Sequence, residues 1–345
     1  ITGAGGSIGS ELVRQCLSFS PSLLIMIDIS ELNLFEIERE IKQNKSEVLV
    51  KPVLCDIRDS LIINQIFEDY KPQVVLHAAA YKHVPIQENF PWEAIKTNIF
   101  GTLNLSETSI KHDVEKFVLV STDKAVKPTN VMGATKRLAE IVSLYFNRNN
   151  IHTDFMAVRF GNVLGSSGSV IPIFQDQIKK GGPVTITDPN MKRFFMSIPE
   201  ASQLILQAGS FGRGGEVFIL EMGSPIKIID IANQLIKLSG YEPDKDIEIK
   251  VTGSRPGEKI VEELSLPNED LDKTTHKKIM VLNDSRMTSV FLKKVFKEIN
   301  DLEQSIIGRE ANEVRKILAN ILPEYEPDAK NIESIISNLD YKAKA

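Results

Sequence analysis

The sequence predicts an α/β fold: a doubly wound parallel sheet, followed by a smaller α/β lobe and C-terminal helices. Three observations carry this. Gly3, Gly6 and Gly9 form a GxxGxxG turn that runs straight into a helical pattern at Ser10–Leu17. Short runs rich in Ile, Val and Leu then alternate with amphipathic stretches long enough to cross back over a sheet. The run Leu23-Leu24-Ile25-Met26-Ile27 closes on an acid, Asp28. A chain of 345 residues has room for about two domains. Residues 1–165 read as the sheet domain, 166–285 as a second lobe with some return to the main sheet, and 286–345 as a helical segment.

Ile1 and Thr2 are all that remains of the strand that should feed the glycine turn. A central strand of about 5–6 residues is usual, so the chain is expected to be a segment of a longer polypeptide. In the turn Gly3-Ala4-Gly5-Gly6-Ser7-Ile8-Gly9, one glycine permits the tight bend. Another lets backbone N–H groups approach a pyrophosphate, and a third lets helix and strand pack closely. By itself the pattern also fits a plain flexible loop. Asp28 follows at about the 20-residue spacing at which a Rossmann-type fold places a carboxylate on the ribose hydroxyls of adenosine. It would repel a 2′-phosphate, so NAD is favoured over NADP. An exposed strand-end acid is the plainer alternative. Ser30 stands two residues beyond.

Val48–Val53 is the next strand, and it leads to Asp56, a candidate for the adenine amino group, and to Ile57. Gln73–His77 is a further strand, followed by Ala78-Ala79-Ala80. Ala78 and Ala80 are small enough for a cofactor to approach the backbone. Helices are expected near 32–45, 59–70 and 90–112. Lys116–Ser121 is the fifth strand and ends in Thr122-Asp123-Lys124. In open parallel sheets that end of a strand faces the ligand crevice. Val131-Met132-Gly133-Ala134-Thr135-Lys136 then starts a helix. Met132 and Lys136 are one turn apart, so they share a face.

The second half is less regular. Asp154–Phe160 is a sixth strand, and Gly165–Ser169 a flexible loop able to close over a ligand. Val170–Lys180 is helical and Pro183–Thr187 a short strand. Ser197 caps a helix with Glu200 at its third position. Val217–Glu221 is a strand, Ile228–Leu238 an amphipathic helix stopped by Gly240, and Asp246–Thr252 a strand. Residues 286–345 read as two amphipathic helices broken at Pro323–Pro327.

Composition narrows the class. The chain carries 41 Lys and Arg against 46 Asp and Glu, a formal charge of −5. That argues against a nucleic-acid partner, which selects for basic surfaces. Cys16 and Cys55 stand apart from any CxxC or Cys/His cluster, so no metal site is expected. No run of 18 apolar residues and no leader peptide is visible, so a cytoplasmic domain without membrane contact of its own is expected.

A Ser/Thr at a strand end and a helix bearing x-x-x-Lys resembles the extended short-chain dehydrogenases and reductases. That family has tyrosine where Met132 stands. Thr122-Asp123-Lys124 with a methionine in the tyrosine slot narrows the likeness. It resembles the nucleotide-sugar 4,6-dehydratases of bacterial polysaccharide biosynthesis. Tyr81-Lys82-His83-Val84-Pro85, Thr97-Asn98, Arg159–Gly165, Arg193-Phe194-Phe195-Met196 and Arg255-Pro256-Gly257-Glu258-Lys259 fit the same family in the same order. The likeness runs from Ile1 to about Glu263.

The resemblance implies a reaction on UDP-N-acetylglucosamine. C4 is oxidised by tightly bound NAD, water is lost across C5 and C6, and the hydride returns to C6. It also implies Asn98 and Lys136 at the cofactor, and Lys82, His83, Asn162, Arg193, Arg255 and Glu258 at the sugar nucleotide. Arginine suits a diphosphate because its fork makes paired hydrogen bonds. Family members pair through helices that fall here at 90–112 and 131–149, so a homodimer or larger assembly is expected. Members are often membrane-anchored, so the full-length protein is expected to sit at the inner membrane.

Residue chemistry supplies the roles. β-Elimination needs a base at C5 and an acid at the C6 hydroxyl. Lys124 serves as the base if burial and a nearby Lys136 cation lower its pKa. Asp123 serves as the acid, and Thr122 bonds the sugar O4. Met132 is no base, so the O4 proton leaves by another path, through Asp123 or a water held by Thr122. Plainer readings stand beside these. Lys124 also fits a solvated loop, Met132 core filling, His83 a half-buried histidine, and Arg193 and Arg255 surface charges. Two other functions share the pattern. A UDP-hexosamine 4-epimerase would normally need the missing tyrosine, and a non-catalytic dinucleotide sensor would have no use for Lys136 or the Thr-Asp-Lys run.

Overall fold

The computed structural model describes residues 1–44, 47–266 and 269–328. The last residue of the helix expected at 32–45 and the tail of the 286–345 segment lie outside the described residues. The strands of three residues or more are β1 (Leu23–Asp28), β2 (Leu49–Leu54), β3 (Val74–His77), β4 (Lys116–Val120), β5 (Asp154–Arg159), β6 (Val184–Ile186), β7 (Val217–Leu220), β8 (Ile249–Val251), β9 (Asp270–Lys273) and β10 (Ile279–Asn283).

The main sheet is doubly wound around the two-residue stub at the start of the chain. Thr2 bridges Ile27 on one side and His77 on the other, both in parallel. Its N–H donates to the Leu76 carbonyl at 3.1 Å, and its carbonyl accepts from Ala78 N–H at 3.2 Å. The stub thus completes the order β2-β1-Thr2-β3-β4-β5-β7-β10-β9. Strands β1 to β5 and β7 are parallel to their neighbours; β10 and β9 extend the far edge antiparallel. The order turns at Thr2, so the crevice of a parallel sheet opens beside it.

The central strands are apolar on both faces, as a sheet covered on both sides requires. Phe117, Leu119, Phe155 and Ala157 enter one core cluster, and Val118, Met156 and Val158 enter the opposite one. Helices α1 (Ser7–Ser18), α2 (Glu31–Gln43), α3 (Ser60–Tyr70) and α4 (Val84–Asn89) lead to an uninterrupted helical run. It passes from Pro91–Ala94 through a π-helical turn, Ile95–Phe100, into α5 (Gly101–Lys111). Then come α6 (Val131–Asn149), α7 (Val170–Lys179), α8 (Ile198–Phe211), α9 (Ile228–Leu238), α10 (Ser289–Ile306) and α11 (Ala311–Ile321).

The starts of these helices follow the side chains that satisfy their first N–H groups. Ser30 caps α2, Asp59 caps α3, Asn130 caps α6, and Ser197 caps α8 through Glu200 N–H at 3.2 Å. In the second half, α7, α9, β6 and β8 enclose their own small core, with Phe174, Ile178, Val184, Ile228 and Ile236 buried in it. The strand at Val217 belongs to the main sheet, beside β5.

Two expectations about the C-terminal part change. Two described helices precede Pro323, with a break at Ile307–Glu310, where Gly308 adopts φ +67°; the helix expected beyond Pro327 lies outside the described residues. A left-handed glycine ends a helix as firmly as a proline does. Helix α6, expected to pair with a second subunit, is covered by the chain's own α10 and α11. Tyr145 stacks on Phe296 with ring centroids 3.7 Å apart, and Leu292, Val295, Ile299, Val314 and Leu318 share its core cluster. Self-association through that face of α6 is therefore blocked by residues of the same chain.

Beneath the end of β4 lies a buried ion network. Glu140 on α6 accepts from Arg159 Nε and Nη2 at 2.7 Å each, from Ser121 Oγ at 2.6 Å and from Arg137 Nη1 at 3.0 Å. Burial alone would push the Glu140 carboxyl up, but the two guanidiniums hold it at about 2. At the start of α6, Val131 N–H donates to Glu88 at 2.6 Å, and buried Arg315 of α11 pairs with the same Glu88 at 2.9 Å. The C-terminal helices thus fix the end of α6 that carries Met132. Among the described residues, no helix is long and apolar enough to cross a membrane.

Candidate active site

The groove beside Thr2 is built from the ends of β1, β2 and β3 and from the glycine turn. Gly3, Gly6, Asp28, Ser30, Asp56, Ile57, Ala78 and Ala80 line it, as the sequence predicts. Gly3 stands at φ +64° with Ala78 and Ala79 directly beneath it, so only glycine fits there. A Cβ on Gly9 would strike the Gly3 carbonyl oxygen, which holds the turn and α1 in close contact. The Asp28 carboxylate accepts from Gly5 N–H and Ser30 N–H, each at 2.8 Å. It ties the glycine turn to the end of β1. Asp56 is paired with Arg58 at 2.6 Å, which removes its net charge from the groove floor.

The other cofactor candidates sit elsewhere. Ile8 and Gly9 lie behind the turn, in the first turn of α1. Ser7 Oγ accepts from Ser167 N–H at 3.1 Å, joining the turn to the Gly165–Ser169 loop. Asn98 does not face the groove. It is fully buried, and its amide is consumed by the backbone of Tyr81 and by Thr135 Oγ1 at 2.9 to 3.1 Å. Its neighbour Thr97 lines the groove instead, with a buried hydroxyl that has no hydrogen-bond partner among the described residues. Both residues lie in the π-helical turn Ile95–Phe100. Tyr81, quoted above in a family motif, also lines the groove, as do Cys55 and Asn33, which sequence gave no cofactor role.

A dinucleotide fits these residues. Helix α1 begins at Ser7 with no side-chain cap, so its first N–H groups face the groove floor at Gly6 and suit a pyrophosphate. Thr97 leaves an unpaired hydroxyl beside it, and Asp28 stands where ribose hydroxyls would lie. Lys136 is buried on α6 and, among the described residues, has neither hydrogen bond nor ion pair. Burial lowers its ammonium to about 8 against the opposing pull of Glu140.

At the end of β4, Thr122, Asp123 and Lys124 come together with residues from three other segments. Asp123 is fully buried. Its Oδ1 accepts from Thr122 Oγ1 at 2.9 Å and from Lys124 Nζ at 3.0 Å, while its Oδ2 has no hydrogen-bond partner among the described residues. Lys124 Nζ also donates to Asn162 Oδ1 at 3.3 Å and lies 3.6 Å from Glu262 Oε1. Arg193 is buried, bonds the carbonyls of Lys192 and Ile260, and approaches Glu262 at 4.0 Å. Met132 is buried in the first turn of α6.

The expectation that Lys124 has a lowered pKa is overturned. Burial does push it down, but the charges of Asp123 and then Glu262 outweigh burial and Arg193, and the net direction is upward. Arg193, rather than Lys136, is the leading cation opposing that shift. With these neighbours Lys124 is held as an ammonium.

The remaining sugar-nucleotide candidates split. Asn162 and Arg193 join the Lys124 cluster. Arg255 is exposed and pairs only with Glu258, at 3.9 Å. Lys82 and His83 lie at the surface, with the His83 ring against Gly168 of the Gly165–Ser169 loop. The Arg255–Lys259 segment nevertheless matters. Gly257 carbonyl accepts from Thr129 Oγ1 at 2.9 Å and from Asn130 Nδ2 at 3.0 Å, and Lys259 Nζ donates to the Val126 carbonyl at 2.9 Å. These bonds strap it to the Thr122–Asn130 loop and deliver Glu262, which sequence reasoning passed over.

Residues 1–284 match the model of a family described as "Polysaccharide biosynthesis protein". The capsular polysaccharide biosynthesis protein CapD of Staphylococcus aureus is 51% identical over 280 residues, 81% of this chain and 47% of that protein. The chain thus spans about half of that relative's length. A protein named UDP-glucose 4-epimerase from Rickettsia akari is 37% identical over 79% of this chain and 78% of its own length. The X-ray structure of Pen from Bacillus thuringiensis superposes with a TM-score of 0.75 at 34% identity, covering 82% of this chain and 86% of that one.

Proposed function

We propose a dehydratase on one premise: the chain belongs to the polysaccharide biosynthesis protein family, a family of nucleotide-sugar-modifying character to judge from its relatives. Within it, the site fits a UDP-N-acetylglucosamine 4,6-dehydratase that makes a UDP-4-keto-6-deoxy-N-acetylhexosamine. The observation that carries this reading is the buried Asp123–Lys124 pair at the end of β4, with Met132 where a proton-accepting phenol would serve an epimerase. NAD, bound along the groove from Gly3 to Thr97, would supply a hydride acceptor at C4 and return the hydride to C6.

The chain's own residues do the rest. Thr122 receives the sugar O4 hydroxyl and relays its proton to Asp123 across the 2.9 Å bond between them. Protonated Asp123 then gives that proton to the departing C6 hydroxyl. Lys124, once neutral, removes the C5 proton made acidic by the 4-keto group, and later returns a proton to C5. Lys136 holds the nicotinamide ribose. Asn162 and Arg193 hold the sugar side of the diphosphate, and Arg255 and Glu258 lie at its outer edge. Protons taken at O4 and given at C6 balance, so the cluster ends each turnover as it began.

The Rickettsia relative's name supports a second reading, C4 epimerisation, which uses the same oxidation. The test is to incubate the protein with UDP-N-acetylglucosamine and NAD, without added reductant. The dehydratase reading expects a C6 methyl signal in the product's proton spectrum. A retained hydroxymethyl group with inverted C4 overturns it. By the same family reasoning, the segment is a catalytic part of a longer, membrane-anchored protein facing the cytoplasm. If it forms homo-oligomers, they use a surface other than the covered face of α6.

A further inference from the structure

Four charges meet around Lys124: Asp123 on its own loop, Glu262 on the strapped 255–263 segment, Arg193 beside it, and Lys124 itself. Two anions and two cations sum to zero in a pocket nearly closed to solvent. Glu262 is 3% exposed, and its Oε2 has no hydrogen-bond partner among the described residues. A buried carboxylate oxygen left unpaired is costly unless it has a use.

An ammonium cannot take a proton from carbon. Lys124 must first lose one, and its surroundings offer two acceptors. Asp123 is nearer, but in the dehydratase reading, on which this inference rests, it is already protonated by the sugar O4 when the C5 proton must leave. Protonation of Asp123 also removes the largest charge that holds Lys124 as an ammonium.

We propose that Glu262 is the positioning residue that receives the Lys124 ammonium proton and so frees the amine for C5. The N–H bond of Lys124 breaks as an O–H bond forms on Glu262, and the nitrogen lone pair then takes the C5 proton. The C5–H electron pair becomes the enolate that expels the C6 hydroxyl, which leaves as water with the Asp123 proton. When Lys124 returns a proton to C5, it recovers its own from Glu262. The charges that act most on Lys124 are those of Asp123, Glu262 and Arg193, and among the described residues Lys124 and Arg193 lie within 4.0 Å of Glu262. With Asp123 protonated, moving the proton from Lys124 to Glu262 leaves the net charge of the four groups unchanged, and Arg193 stays a fixed cation beside Glu262.

The test uses the full chain with NAD and UDP-N-acetylglucosamine, as wild type, Glu262→Gln and Glu262→Asp. The Gln variant is expected to lose about 100-fold in kcat near neutral pH. Its kcat then climbs about tenfold per pH unit, because Lys124 must now lose its proton to solvent, while the wild type stays flat. Reduced cofactor is expected to build up in the variant, since C4 oxidation does not need Glu262. The Asp variant recovers part of the loss. Independently of turnover, the pH at which the resting Lys124 becomes reactive to an acetylating reagent, read by peptide mass, is expected to fall in the Gln variant. An unshifted Lys124 together with a Gln variant that turns over normally overturns this inference alone. A loss equal at every pH, with no reduced cofactor, also overturns it, because that is what a merely structural role gives. A wild type that dehydrates no UDP-sugar overturns both this inference and the reading beneath it.

Discussion

Replacing Lys124 by Met is expected to reduce dehydration by at least about 1,000-fold, the upper range for a positioned proton-transfer group. The thioether keeps the apolar stem and removes the amine that the proposed reaction uses to take the C5 proton. In the proposed reaction oxidation at C4 uses Thr122 and Asp123, so the variant should still reduce its cofactor on mixing with UDP-N-acetylglucosamine and then stall. The comparison is absorbance of reduced cofactor against product formed. Full turnover in the variant would remove Lys124 from the chemistry. Melting of the variant checks its fold, because the substitution leaves Asp123 and Glu262 with only Arg193 as counter-charge.

The second large effect falls on stability rather than chemistry. Glu140→Gln leaves Arg159 and Arg137 buried beside a neutral amide, and removing one partner of a buried ion pair typically costs about 3–5 kcal/mol. The melting temperature should fall by roughly 10 °C. Replacing Arg159 by Met in the same chain should cost less than the sum of the two single changes, since they share one network. The pH dependence has a definite sign. Glu140 is held at about 2, below the ordinary carboxyl value of 4.5, so its contribution is fully present above about pH 4.5. It is lost as pH falls from there toward about 2. Thermal melts between those limits should show the wild type losing stability that the Gln variant has already lost. Because Glu140 binds Ser121 and Arg159, the network also sets the end of β4 from which Thr122, Asp123 and Lys124 project.

Much of this was legible in the sequence. The glycine turn, the acid at the end of the Leu23–Asp28 run and the small residues after His77 all depend on contacts between neighbours in sequence or on strand ends. Local pattern exposes such features. The capping of α8 by Ser197 and the limits of α9 were legible for the same reason. Asn98 is implied at the cofactor by the family resemblance alone, and the fold buries its amide against Tyr81 and Thr135 while Thr97 lines the groove. The prolines after 322 mark one helix end, but the earlier break at Gly308, set by its left-handed backbone, carries no equally plain signal. Glu262 gives no local signal at all. In Val261-Glu262-Glu263-Leu264 one acid is buried and the next half exposed, and only the strap between Gly257 and Asn130 decides which. The charge state of Lys124 was hidden for the same reason, since one of the two carboxylates that set it is remote in sequence.

The central claim is that Lys124 exchanges the C5 proton of a transiently oxidised sugar. Running the wild-type reaction in heavy water and recording the proton spectrum of the product measures this directly. The account predicts a 6-deoxy-4-keto product carrying deuterium at C5. A product that keeps its original hydrogen at C5 would contradict it.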